Sequence, residues 1–315
     1  MSEAMASGKT LETKADPFAY TPYDGSKRPF AIGLEMLDVE EWIEPDANLA
    51  HYLDEKDRLF RDRRAEVFCA EDGTAAVQKE VLDLLIAHLP VRFPDIYRLE
   101  NGVISVAPAN RSYDVAVWRG APLELAARLV QEDLVIMRGS PDGYRFVAGA
   151  VTFPSTWSPR HMFGKPMSGI HAEVPGFEGR MGAMVDRIFA NLPVEKPVWR
   201  LNWSLYEDGD LHQPVIRSVT EKWWGEEAVD ASSVFVRVER QTLRRLPVSK
   251  DILFTIKVFV DPADGFRRHP RGRELALGLR DQLLALNGPQ LVYKNLTGSR
   301  DSLANALQAL ADEMV

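Results

Sequence analysis

Apolar residues recur at helical spacing through the first third of the chain, alternate through the middle, and return to helical spacing at the end. Residues 30–42 (FAIGLEMLDVEEW) are the first segment with apolar spacing. Residues 51–66 carry opposite charges three and four apart, which predicts a solvated helix. Residues 74–89 set Val77, Val81, Leu84, Leu85 and His88 on one side and predict an amphipathic helix stopped by Pro90, with His88 near its last carbonyls. Another helix, opening at a proline, is predicted over 121–131. Then the period changes. Residues 134–138 and 144–153 read as strands joined through Ser-Pro-Asp-Gly. Strands follow over 199–206, 233–246 and 252–261, the last two joined as a hairpin at 247–250. Helices are predicted over 179–192, 273–286 and 301–314. The sum is an α+β fold: a five-stranded, mainly antiparallel sheet with helices packed on it, extended by a helical N-terminal part.

Residues 1–30, rich in Ser, Thr, Lys, Pro and Gly, read as a mobile or surface-draped arm, and 31–315 as a single domain. Seven tryptophans and fourteen phenylalanines can fill a substantial core. The 46 acidic against 38 basic residues give a net charge of −8, which argues against nucleic acid as partner. The only cysteine is Cys69, so one copy of the chain cannot form a disulfide framework or ligate an iron–sulfur cluster, and a quiet, partly buried thiol is the expectation. With no apolar leader at the N-terminus and no run of membrane-spanning length, the expectation is a cytoplasmic soluble protein.

Candidate chemistry concentrates in residues 151–176, VTFPSTWSPRHMFGKPMSGIHAEVPG. Pro154, Pro159, Pro166 and Pro175 prevent a long regular element, leaving a stiff loop and one short helix opening at Ser158. The loop carries His161 and His171, and a histidine held on rigid backbone in apolar company suits either a metal ligand or a quiet core position. On the strand over 233–246, alternation puts Val234, Val236, Val238 and Arg240 on one face and Phe235, Arg237, Glu239 and Gln241 on the other. An arginine continuing an apolar face needs an anion, so Arg240 is a candidate for gripping a ligand carboxylate or, alternatively, a neighbour's salt bridge. Glu239 is a candidate base or amine ligand, against the plainer reading of a solvated carboxylate. Asn202 and Ser204 offer polar groups from a partly buried strand, and His212 sits in a turn. Walker, GxGxxG, HExxH, GxSxG and EF-hand motifs are all missing, which removes those classes.

With these residues laid out, the segments PSTWSP…GKPMSGIHAEVPG, RLNWSLYEDGDLHQP and VRVERQTLRRLP…ILFTIKVFVDP, in this order, resemble the heme-dependent oxidative N-demethylase α-subunit family. The resemblance spans roughly residues 20–310. It implies a PAS-like heme-binding domain whose antiparallel sheet and helices enclose one heme b. It further implies reductive activation of O2 and oxidation of an N-methyl group on a small secondary amine such as dimethylamine, with formaldehyde released. Electrons are then expected from NADPH through flavin (FMN) and a [2Fe–2S] centre on reductase- or ferredoxin-type partner subunits. Carried over by position, His171 is the expected iron ligand, with His161 and then His212 as runners-up. Glu239 and Arg240 match the family's Glu-Arg pair and are expected at the substrate and O2 side, Arg240 alternatively on a heme propionate. A PAS-like sensor that binds heme or another small ligand without turnover is the competing expectation.

Overall fold

The computed structural model describes residues 17–26, 33–214 and 229–314. Ten strands occur among them: β1 (Glu35–Met36), β2 (Phe68–Ala70), β3 (Tyr97–Glu100), β4 (Val103–Val106), β5 (Arg111–Asp114), β6 (Asp133–Ser140), β7 (Gly143–Ala150), β8 (Val198–Tyr206), β9 (Phe235–Arg245) and β10 (Ile252–Pro262). They form two sheets, one of seven strands in the order β1-β8-β9-β10-β6-β7-β2, the other of three in the order β3-β4-β5. Every named pairing is antiparallel. The α+β expectation is met, and the sheet is larger than the five strands predicted. The five long predicted strands are β6 to β10 and form the sheet's contiguous middle. The two short outer strands carry too few residues to show an alternation.

The three-stranded sheet went unpredicted. Its first hairpin turns at Asn101 (φ 51°) and Gly102 (φ 80°), the left-handed pair that a two-residue hairpin loop requires.

Helices α1 (Leu49–Asp62), α2 (Arg64–Val67), α3 (Ala75–Arg92) and α4 (Pro122–Ala127) come from the N-terminal part. The charged segment predicted as solvated is α1, and the structure corrects that reading: one side buries Leu49, Tyr52, Leu53, Lys56, Leu59 and Phe60. Helix α3 also passes its predicted stop. Pro90 removes one donor in the last turn, but Leu89 is fully buried and its carbonyl accepts from Phe93, so packing holds that turn to Arg92.

Between β7 and β8 lie three helices, α5 (Pro159–Met162), α6 (Met167–Ile170) and α7 (Gly182–Asn191). Ser158 is the N-cap residue of α5 and Pro159 opens it, as the sequence predicts, but α6 is a second short helix where only one was expected. A π-helical turn, Phe177–Met181, leads into α7.

The chain ends in α8 (Gly272–Leu284), α9 (Gly288–Tyr293) and α10 (Arg300–Asp312), of which α9 was not predicted. Leu275, Leu279, Leu283, Leu303, Leu307 and Leu310 pack with Val234, Val236 and Val238, so α8 and α10 cover one face of β9. The described part of the N-terminal arm lies against them: the Phe18 ring stacks on Phe266 at 4.2 Å, and Tyr23 is fully buried. The opposite face of the sheet meets the segment from β7 to β8. There Leu243, Val198 and Val135 pack with Phe189 and Leu192, joined by half-buried Trp157, Met162, Phe163, Met167 and Ile170. Arg245 fastens this layer by donating to the carbonyls of Leu192 and Phe189 around the end of α7. No helix among the described residues is long and apolar enough to cross a membrane.

Candidate functional site

On the face of the sheet beneath α5–α7, the register sets Arg200, Asn202 and Ser204 of β8 opposite Gln241, Glu239 and Arg237 of β9. Two strands that are apolar at their ends thus share a polar patch. Glu239 is its centre and is buried, 5 % exposed. Three neutral donors reach its carboxylate: the Ser155 hydroxyl, the Asn202 amide at 3.3 Å and the Gln241 amide at 2.8 Å. Buried carboxylates persist only when their acceptor sites are filled, and these donors fill them without neutralising the charge.

Arg237 explains why Ser155 donates. This fully buried guanidinium gives its Nε–H to the Ser155 oxygen at 2.9 Å, so the hydroxyl hydrogen is free to point at Glu239. Its other donors reach the carbonyls of Phe153, Pro154, Asp210 and Leu211. One arginine therefore ties both loops that border the patch to β9. The chain leaving β7 is pinned again by Asp133, which accepts from the backbone N–H groups of Thr152 and Phe153, both at 2.8 Å. Asp133 has fully buried Lys56 beside it at 3.7 Å.

His171 follows α6 directly. Its Nδ1 lies 3.1 Å from the Met167 carbonyl, and because a carbonyl only accepts, the proton sits on Nδ1 and the Nε2 lone pair is bare. The ring stacks on Phe177 with centroids 4.6 Å apart. Burial lowers its pKa, the Met167 carbonyl partly opposes this, and the Arg200 cation lowers it further. Neutral imidazole with one nitrogen tethered is the form a metal-ligating histidine takes.

Arg200 links the two halves. It is within electrostatic reach of both His171 and Glu239, its Nε is buried without a hydrogen-bond partner, and desolvation lowers its pKa. From α9 come Tyr293 and Lys294. Lys294 donates to the Trp203 carbonyl, and burial pushes its pKa down to about 7 against the attraction of Glu239. Tyr293 is raised by desolvation and then by Glu239. Tyr293 is 39 % exposed and Arg200, Lys294 and His171 are half-buried, yet all four are strongly desolvated. Groups that keep some contact with solvent while densely surrounded by protein line a concave stretch of surface, here called the recess.

A family model described as haem-dependent oxidative N-demethylase, alpha subunit-like, matches residues 33–304. The chain belongs to this family. For a heme-dependent demethylase the residues present fit the cofactor. His171 offers one bare imidazole nitrogen, the same segment carries half-buried apolar Met162, Phe163, Met167 and Ile170, and Arg200 has an unpartnered buried donor for a carboxylate. Among the described residues, no group of three His, Cys, Asp or Glu side chains could form a metal cage.

The structure treats the other expected residues differently. It separates the Glu-Arg pair: Arg240 projects to the far face of β9, where it meets Glu44 at 3.0 Å and the carbonyls of Glu41 and Trp42. This is the salt-bridge alternative. The pleat, with no bulge between β8 and β9 here, sends adjacent side chains to opposite faces. His161 is exposed on α5. His212 donates from Nδ1 to the Thr152 carbonyl at 2.6 Å, and its buried Nε2 has no partner, but the ring lies toward Glu55 of α1. Sequence reasoning missed Arg200, Arg237 and Ser155. The signal was present for Arg200, since Arg-x-Asn-x-Ser along an otherwise apolar strand is a polar stripe at sheet spacing.

Proposed function

We propose that this chain is the heme-carrying subunit of a cytoplasmic monooxygenase that demethylates a small secondary amine of the dimethylamine class. One observation carries the reading: in a chain of this family, a tethered neutral His171 and a donor-saturated buried carboxylate, Glu239, both lie within electrostatic reach of Arg200. The five long, contiguous antiparallel strands support a PAS-like domain at its centre.

In this reading His171 Nε2 ligates the iron of heme b, and Arg200 receives a heme carboxylate. Glu239 holds the substrate. A dialkylamine is a cation at neutral pH, and a carboxylate whose neutral donors leave its charge intact pairs with it. Asn202, Gln241 and Ser155 fix the carboxylate's direction, and the Arg237 staple keeps the loop walls in place so that the methyl group has one orientation. When bound, heme supplies oxygen activation there with electrons from NADPH, passed through FMN and a [2Fe–2S] centre on partner subunits, and the oxidised methyl leaves as formaldehyde. Lys294, titrating near neutrality within electrostatic reach of Glu239, exchanges protons at physiological pH.

His171→Ala is expected to remove or strongly shift the Soret band of the folded protein. A native spectrum in that variant, with loss in His161→Ala or His212→Ala, moves the ligand elsewhere. Glu239→Gln is expected to keep heme and lose amine affinity at least about tenfold, roughly 1.4 kcal/mol. Amine titration at the Soret band and formaldehyde release under NADPH turnover with partner subunits measure this. Binding of amine without formaldehyde would make the protein a PAS-like sensor.

A further inference from the structure

Past Arg240, the last turn of the β9 pleat carries an arginine that the recess does not use. Arg244 projects to the same side as Arg240, away from Glu239. Its guanidinium carbon lies 4.3 Å from the ring centroid of Trp42, which is fully buried. The Trp42 ring is 5.8 Å from that of His88 on α3, and His88 packs on Phe93 at 6.1 Å. Arg92 follows one turn later, stacked on Phe93 with its Nε on the Glu40 carbonyl at 3.3 Å.

Three nitrogens of this cluster, Arg244 Nε, Trp42 Nε1 and His88 Nε2, are buried with no hydrogen-bond partner. Among the described residues no carboxylate pairs with Arg244. The groups that depress His88 are burial and then two cations, Arg244 and Arg92, and the Arg244 shift comes from burial alone. Arg237 and Arg240, buried on the same strand, have partners that half-buried Arg244 lacks: Arg237 takes four carbonyls and a hydroxyl, and Arg240 takes two carbonyls and the ion pair with Glu44, although its Nε, like that of Arg244, makes no hydrogen bond. Donors and positive charge collected without an acceptor are costly in isolation and complementary to an anion. A planar guanidinium suits the two oxygens of a carboxylate or an oxyanion. Stacking on indole sets the plane of that fork without consuming its hydrogens.

We propose that Arg244, Trp42 and His88 form a binding site for a small carboxylate or phosphate-type oxyanion, on the side of the sheet opposite His171. The bound oxygens accept from the Arg244 guanidinium and the Trp42 indole N–H, and His88 binds as imidazolium, taking one proton from solvent. The proposal does not depend on the assigned chemistry of the recess.

The test uses the full chain as purified, titrated at constant ionic strength with inorganic phosphate and, separately, with acetate. The Trp42 indole N–H signal, identified by its loss in Trp42→Phe, is followed by NMR. A saturable downfield shift with at least one probe is expected, together with a rise in the His88 pKa and at least about tenfold weaker binding in Arg244→Gln. The probe that saturates tells phosphate-type from carboxylate ligands. Absence of a saturable shift with both probes overturns the site, and so does an unchanged midpoint in Arg244→Gln. If Arg244→Gln lacks the parental indole pattern, Arg244→Lys replaces it, and undiminished affinity for both probes in that variant equally overturns the site.

Discussion

The two faces of β9 handle the same problem, buried arginine, in opposite ways. Toward the recess, Arg237 exhausts its donors on main-chain carbonyls and Ser155, so its charge is spread over fixed dipoles and serves to shape the walls. On the far face, Arg240 is matched by Glu44, and half-buried Arg244 is matched, among the described residues, by nothing but the Trp42 ring. A buried cation surrounded by acceptors is architecture. One with a carboxylate is a strap, here between β9 and the segment carrying Trp42 and Glu44. One with neither leaves room for a ligand.

Replacing Arg237 by Met tests the contrast most severely. Four carbonyls and the Ser155 oxygen lose their donor together, and a cost of about 3–5 kcal/mol is expected from urea denaturation. A loss below about 1 kcal/mol would show that water replaces the guanidinium.

Next in size is the acid limb of stability. Burial, Arg244 and Arg92 hold the His88 pKa at about 4 against an ordinary 6.5. Between these values the unfolded chain takes up a proton that the folded chain refuses. Stability from this group is therefore complete above pH 6.5 and falls as pH drops toward 4, by on the order of 3 kcal/mol. His88→Gln should flatten that limb in melts from pH 7 to 4. Saturating anion in the native protein should blunt it as well.

Arg240→Lys keeps the charge and loses the fork, so a loss of about 2 kcal/mol in urea is expected with an unchanged Soret band. A changed band would return Arg240 to the heme. Smallest of all, Arg244→Met without anion should alter stability by no more than about 1 kcal/mol, with gain as the expected sign, because a half-buried cation with no counter-charge is removed.

How much of this was legible beforehand follows residue chemistry. The five long strands show in the sequence because alternation and turn signals agree, from Ser-Pro-Asp-Gly to the 247–250 hairpin. The Asn101-Gly102 turn carried a signal of equal quality, with apolar Val103, Ile104 and Val106 after it, but the four residues before it, with exposed Arg98 and Glu100, are too few and too charged to show a partner strand. The opposed directions of Glu239 and Arg240 could be read from the pleat alone. The donors that converge on Glu239 could not, because Ser155 is 84 residues distant and nothing local marks it as a partner. Lys56 was read as solvated for the same reason: its environment is made by β6, far along the chain. His171 stands apart, since its candidacy came from family resemblance, and only the Met167 tether and the Phe177 stack give it a physical rationale.

The Arg237 staple has a consequence for how this pocket can change over time. Its acceptors at positions 153, 154, 210 and 211 are main-chain oxygens, which every amino acid supplies. Apart from Ser155, side chains on both bordering loops can thus be exchanged, one at a time, while these main-chain anchors stay in place. New ligand shapes can be explored by substitution at the rim without first re-engineering what holds the rim in position. The vulnerable elements are the arginine and its one side-chain partner, Ser155, and the rest of the rim can diversify around them.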